Sequence, residues 1–302
     1  MSSPAANRRG ILAILAAMIF FIGNDTLLKL AASTYPPGQI MAIRSGFASL
    51  MALGLVAGSG ELGRLRSLGS PVVLGRACLE AIVAFLYITS VSHLALANIT
   101  AISQAAPIIL TLMTVAFGIE RVGWRRWCAV FVGFAGVLLV VKPSPTGFDI
   151  YGWIALAAAA VVAGRDLVTR LIGDHIPSVV VTLSTTSAVG LAGLLVGLGE
   201  EWAPLAGREV LLLLSAAVLV TLGNLAIIVA FRGGDVSVVS PFRYSIVVFA
   251  VALGSLVFGE WPNAIAWLGT ALIVGSGVYT MHRERLRRLD ATATAAGDRA
   301  AA

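Results

Sequence analysis

Ten apolar runs of roughly 18 to 23 residues take up most of this chain, and runs of that length decide what it can fold into. As α-helices rising 1.5 Å per residue, they cross a hydrocarbon layer about 30 Å thick. They lie near residues 10–32, 39–58, 72–92, 95–117, 124–141, 150–172, 178–198, 209–231, 236–258 and 263–281. Only helices and closed barrels satisfy their backbone groups in lipid, and no alternating ten-residue pattern suggests a barrel. The predicted fold class is an all-α integral membrane protein with ten transmembrane helices. Of 302 residues, 58% are hydrophobic and 12% charged, far too apolar for a soluble domain of that size.

A net charge of +6 raises the question of nucleic acid. The basic residues, however, sit in short loops and at the C-terminus, a topological pattern and not a binding patch. The lysines, Lys29 and Lys142, follow no glycine-rich loop, which excludes a P-loop. Cys78 and Cys128 fall in apolar runs and read as packing residues with no disulfide between them. His93, His175 and His282 stand at run ends without metal-ligand spacing, so neither a metal nor a cofactor is expected. Arg8 and Arg9 before an apolar stretch resemble a signal peptide. Asp25 and Lys29 interrupt that stretch before any cleavage site, and the first run reads as a retained helix.

The stretch Gly23-Asn24-Asp25-Thr26-Leu27-Leu28-Lys29-Leu30 returns as Gly164-Arg165-Asp166-Leu167-Val168-Thr169-Arg170-Leu171. Asp25 matches Asp166 and Lys29 matches Arg170, at a constant offset that marks a duplicated unit. Either copy alone reads as an i,i+4 ion pair at a helix end. Pro36-Pro37 and Pro177, Glu120 and Glu260, Trp127 and Trp267, and Gly136 and Gly277 continue the parallel. The predicted organisation is a short N-terminus over 1–9, five-helix repeats over 10–142 and 150–282, and a basic, then disordered tail over 283–302. Five is odd, so the second repeat enters the membrane inverted relative to the first. Inverted repeats are a recurrent plan of secondary transporters that hold substrate near the midplane.

Arginine placement sets the orientation. Arg64, Arg66, Arg121, Arg125, Arg126, Arg170 and Arg232 fall in one set of loops, which also includes both basic termini. Both termini are therefore expected in the cytoplasm, with the chain multi-pass in a bacterial inner membrane. Six tryptophans near run ends read as an aromatic belt against the surrounding lipids. Gly190, Gly193, Gly197, Gly269, Gly275 and Gly277 allow close helix approach.

Ionisable groups inside a bilayer are costly and require a partner or a wet cavity. Arg44 lies in the second run, Arg76 and Glu80 in the third, and Arg243 in the ninth. Glu80 either neutralises Arg76 one turn away or carries a coupling proton. Arg44 and Arg243 either snorkel or bind an anion. Asn98, Gln104 and Pro107 share one face of the fourth run, the eighth carries Asn224, and Tyr244 follows Arg243. The third, fourth, eighth and ninth runs thus hold most of the midspan polarity, and a central pocket explains it. Candidate substrate-binding residues are Arg44, Glu80, Asn98, Gln104, Asn224, Arg243 and Tyr244. Candidate gating residues are Asp25 with Lys29 at one mouth and Asp166 with Arg170 at the other.

The stretch from His93 through Asn98 and Gln104 to Pro107 resembles the EamA-type members of the drug/metabolite transporter superfamily. So do Glu120-Arg121-Val-Gly-Trp124-Arg-Arg-Trp127, Gly133-Phe-Ala-Gly136-Val and the Phe-Gly-(x)-Glu turn closing each half. The resemblance covers about residues 10 to 282. It implies ten helices as two inverted repeats, a cavity lined by helices three, four, eight and nine, and a small organic cargo. Amino acids are frequent cargo there, and some relatives carry riboflavin or S-adenosylmethionine.

The expected function is a secondary transporter working by alternating access on an amino-acid-like zwitterion or anion, since the buried charges have both signs. A larger metabolite, or a scaffold without transport, is the alternative. An intramembrane enzyme would need a nucleophile-base pair or metal cluster on facing helices. The histidines are too peripheral for that, and no enzyme is expected.

Overall fold

The computed structural model describes residues 4–118, 124–141, 150–169, 171–173, 176–233, 239–279 and 282. Every regular element among them is helical: α1 (Pro4–Ala31), α2 (Pro37–Gly58), α3 (Pro71–Val91), α4 (Leu96–Ser103), α5 (Ala106–Ala116) and α6 (Trp124–Val141). Then come α7 (Ile150–Thr169), α8 (Ser178–Gly197), α9 (Gly207–Gly233), α10 (Ser245–Phe258) and α11 (Ala264–Tyr279). Proline opens α2 and α3, where the first turn has no use for its missing N–H. Among the described residues, seven spans are long and apolar enough to cross a membrane, with α4 and α5 forming one of them, Leu96–Met113. Three shorter apolar helices, Trp127–Val140, Phe242–Phe258 and Ala264–Tyr279, accompany them.

Two of the predicted helices are broken, each at a proline. The fourth divides into α4 and α5 because Pro107 has no N–H to give to the turn before it. The turn tightens instead, and Gln104 N–H bonds Ala101 O at 3.1 Å. The ninth begins, among the described residues, with a 3-10 turn over Ser240–Tyr244 around Pro241, and α10 follows. A 3-10 helix, Glu61–Gly69, fills the second connection, where no element was expected. Its Leu65 and Leu68 pack against a cluster of Ala52 and Val56 from α2 with Val180 and Leu183 from α8. Cys78 and Cys128 are free and exposed, which corrects the expectation that they pack inside. They stand on outward helix faces, where a thiol is a small apolar group against lipid.

The helices pair across the two parts of the chain: α1 with α9, α2 with α8, α3 with α7. Glycines set the closest of these approaches. A Cβ on Gly193 would meet Ala42 N at 2.4 Å, and one on Gly38 would meet Gly197 N at 2.7 Å. Between α6 and α11, Gly136 and Gly269 face each other so closely that a Cβ on either meets the other's carbonyl at 2.6 Å. Ile22, Leu96, Ile99, Ile102, Val137, Ala155, Ala250 and Ile273 form the central core from six helices.

One end of the bundle gathers several connections. Tyr35 Oη donates to Pro204 O at 3.2 Å, and the Gln39 side chain exchanges bonds with the Ala203 backbone at 2.7 and 3.0 Å. Gly38 N–H donates to Glu200 Oε1 at 3.0 Å, and the His93 and Tyr151 rings stack 3.6 Å apart. At the opposite end, the Glu61–Gly69 helix lies on α8, and Arg76 Nε donates to Thr169 Oγ1 at 3.0 Å.

Candidate functional site

Helix α3 organises the polar interior. Arg76, Glu80 and Tyr87 fall four and seven residues apart, close to whole turns at about 3.6 residues each, and so share one face. Each reaches a different neighbour. Arg76 meets Thr169 of α7, and Glu80 Oε2 accepts from Arg165 Nη1 of α7 at 2.9 Å. Tyr87 Oη donates to Asp25 Oδ2 of α1 at 2.7 Å.

The other Asp25 oxygen accepts from Asn24 Nδ2 at 2.9 Å, and Asn24 Oδ1 accepts from Arg44 Nη1 at 3.2 Å. Asp25 makes no salt bridge among the described residues, although Arg44 lies within electrostatic reach of both Asp25 and Glu80. Arg44 Nε is buried and has no hydrogen-bond partner among them. A guanidinium with five donors and one neutral acceptor keeps N–H groups in reserve for an anion. Around α1, α2, α3 and α7 the structure therefore assembles carboxylates and guanidiniums at membrane depth. Such groups mark pathways for polar solutes in membrane proteins.

The two repeat stretches behave alike. In each copy the residue before the aspartate bonds that aspartate and reaches across to another helix. Asn24 joins Asp25 to Arg44. Arg165 bonds Asp166 Oδ1 at 2.7 and 3.0 Å and joins it to Glu80. Asp25 does not make its expected i,i+4 pair, and the other pair includes Arg170, outside the described residues. Lys29 turns away from Asp25 and forms a salt bridge with Glu260, 231 positions on. Glu80 likewise pairs with Arg165 and not with Arg76 through a direct bridge. Exposed local pairs yield only about 0.3–0.5 kcal/mol, whereas an unpaired buried charge costs far more. The distant partner wins.

Of the predicted binding residues, Arg44 and Glu80 belong to this network. Asn98 and Gln104 are half-buried on and just after α4, with no side-chain bond to the network among the described residues. Asn224 and Arg243 are exposed. Tyr244 is buried with its hydroxyl against Gly277 of α11 and no hydrogen-bond partner among the described residues. Arg170 lies outside the described residues, as does Glu120. Sequence reasoning missed Asn24, Tyr87, Arg165 and Glu260. Asn24 and Arg165 occupy matched positions in the quoted repeat, and that was the available signal. Among the described residues no three of His, Cys, Asp and Glu come together as metal ligands.

An all-helical bundle with charges of both signs held between apolar helices defines a multi-pass membrane protein of the solute-handling class. The profile of the EamA-like transporter family matches residues 8–142 and again 150–281, and the chain belongs to that family. It is 27% identical to the pseudopaline exporter of Pseudomonas aeruginosa over 265 residues, covering 87% of this chain and 92% of that one. It is 27% identical to a riboflavin transporter of Rhizobium johnstonii over 286 residues, covering 91% of each. An S-adenosylmethionine uptake transporter of Rickettsia bellii is 22% identical over 280 residues, covering 91% of this chain and 94% of that one. The fold recurs in a crystal structure 20% identical to this chain, with a TM-score of 0.64 over 92% of it and 98% of the other.

Proposed function

We propose that the chain is a secondary transporter of a small polar metabolite, an amino-acid-like zwitterion or anion, moved by alternating access. The observation that carries this reading is the Asp25–Asn24–Arg44 cluster. An unpaired Arg44 Nε suits a carboxylate, and Asp25, met only by neutral donors, suits an ammonium or a coupling proton. Glu80, tied to Arg165, keeps a pairing role.

The mechanism takes the chain as two inverted five-helix repeats, ten spans in all. The family profile matches twice, and the seven longer spans with three shorter apolar helices supply ten segments. Gly118 and Gly259, each following a phenylalanine, both turn with positive φ, 69° and 65°. In this reading the end bearing the α1–α2 connection faces outward, and the arginine-rich loops and both termini lie in the cytoplasm of a bacterial inner membrane. Asn98, Gln104, Asn224, Arg243 and Tyr244 line the remainder of the pathway. Lys29 and Asp166 stand toward opposite mouths.

A second reading, a larger cargo, is favoured by relatives named for riboflavin and S-adenosylmethionine. Proteoliposome uptake with a panel of labelled amino acids, organic anions, riboflavin and S-adenosylmethionine separates the two. Saturable uptake of an amino acid or anion that Arg44→Gln and Asp25→Asn abolish supports the first. Uptake of riboflavin or S-adenosylmethionine alone supports the second, and no uptake of any member sinks both.

A further inference from the structure

We propose that Glu260 is a positioning residue: it clasps α1 and the half-helix α4 to α10 and so holds the outward mouth closed. The inference rests on the transporter reading above. α10 ends at Gly259, whose φ of 65° turns the chain back, and Glu260 N–H returns to Gly254 O at 3.0 Å. That turn aims the carboxylate at two elements from the other half of the chain. Oε1 takes Lys29 of α1, and Oε2 accepts the Leu96 N–H of α4 at 3.0 Å.

Each bond answers a deficit that the local sequence leaves open. Ala95 precedes α4 and has no side chain to cap it, so the Leu96 N–H is orphaned until Glu260 arrives from 164 positions away. Lys29, with its side chain only 10% exposed, needs acceptors and finds Glu260 together with the Leu94 carbonyl at 2.6 Å. The Phe258 ring, 4.9 Å from Nζ, covers the ammonium. One carboxylate thus fastens α1, the α3–α4 connection and α10 at the same end of the bundle.

α4 is built to move when that clasp opens. It has eight residues and is separated from α5 by the tight turn at Gln104 and Ala105. A short helix pinned at one end by Glu260 and hinged at the other swings as a unit. With it go Asn98 and Gln104. Loss of Lys29 frees α1 alone and leaves α4 capped, whereas loss of the Glu260 carboxylate frees both.

The test uses the full chain in right-side-out and inside-out vesicles, with Cys78 and Cys128 replaced by serine and a single cysteine at Asn98. Labelling by a membrane-impermeant maleimide is timed from each side. Glu260→Gln should raise labelling from outside by at least about five-fold, the low end of a gate-sized coupling, and lower it from the cytoplasmic side. Lys29→Met, which leaves the Glu260 carboxylate in place to cap α4, should do less. A merely loosened fold would raise labelling from both sides, and that result overturns the proposal. So does a Glu260→Gln rate within about two-fold of the parent. If Glu260→Gln fails to fold, Glu260→Asp keeps the charge on a shorter arm and is read by the same criteria. Labelling requires no substrate, so a failed uptake screen and a failed clasp are told apart.

Discussion

Tyr87 donates its hydroxyl to Asp25 at 2.7 Å, joining α3 to α1 across 62 positions of sequence. The bond leaves Asp25 with two neutral donors and places the carboxylate beside Arg44 without a direct bridge. Tyr87→Phe removes one of those donors and little else. Unfolding in detergent should show a loss of about 1–3 kcal/mol, the cost of leaving a buried acceptor unmet. An unchanged midpoint would mean that water replaces the hydroxyl.

Glu80 and Arg165 form a bridge whose side chains are 27% and 21% exposed. Removing Arg165 leaves Glu80 without its bridge, and removing Glu80 leaves Arg165 with Asp166 alone. Glu80→Gln and Arg165→Gln should each cost roughly 1–3 kcal/mol, less than the ~3–5 of a fully buried pair because water reaches this one. The double variant should cost clearly less than the two together. Thermal melts of all four proteins measure the coupling, and strict additivity would show that the bridge contributes nothing.

The approach of α6 to α11 makes a sharper demand. Gly269→Ala drives a methyl against the Gly136 carbonyl, which has no rotamer to yield, and should cost about 1–3 kcal/mol. Gly275 lies on the same helix with open space beside it. Gly275→Ala should stay within about 0.5 kcal/mol of the parent. Equal melting points for the two alanines would refute the close crossing.

Gln39 is wholly buried and serves both the N–H and the C=O of Ala203. Gln39→Leu keeps the volume and strands both backbone groups. A loss of at least ~2 kcal/mol is expected, with faster amide exchange at Ala203 as the local signature. Exchange at Ala203 as slow as in the parent would show that the α8–α9 connection does not depend on Gln39.

Part of the site could be read early because chemistry at membrane depth is rare. Arg44 and Glu80 stood out as charges inside apolar runs, and the structure sets Arg44 on Asn24 and Glu80 on Arg165. Asn24 and Arg165 were visible as the residues preceding the repeated aspartate, yet nothing local distinguished them from helix-end polarity. Nothing in the sequence singled out Tyr87. Glu260 looked like a loop acid until the fold set it against Lys29 and the bare end of α4.

The sequence by itself determined where helices can exist and where they must break. Run length, the prolines at 107 and 241, and the glycines at 118 and 259 act on their own few residues. Tertiary structure alone decided which charges meet. An i,i+4 pair and a bridge 231 positions apart are equally legal in the sequence, and the local one is weak. Once α1 packs on α9, α3 packs on α7, and the turn after α10 closes over α1, the Lys29 side chain is left only 10% exposed with the Glu260 carboxylate beside it. Lys29 goes where desolvation is most expensive, and only the packed bundle says where that is.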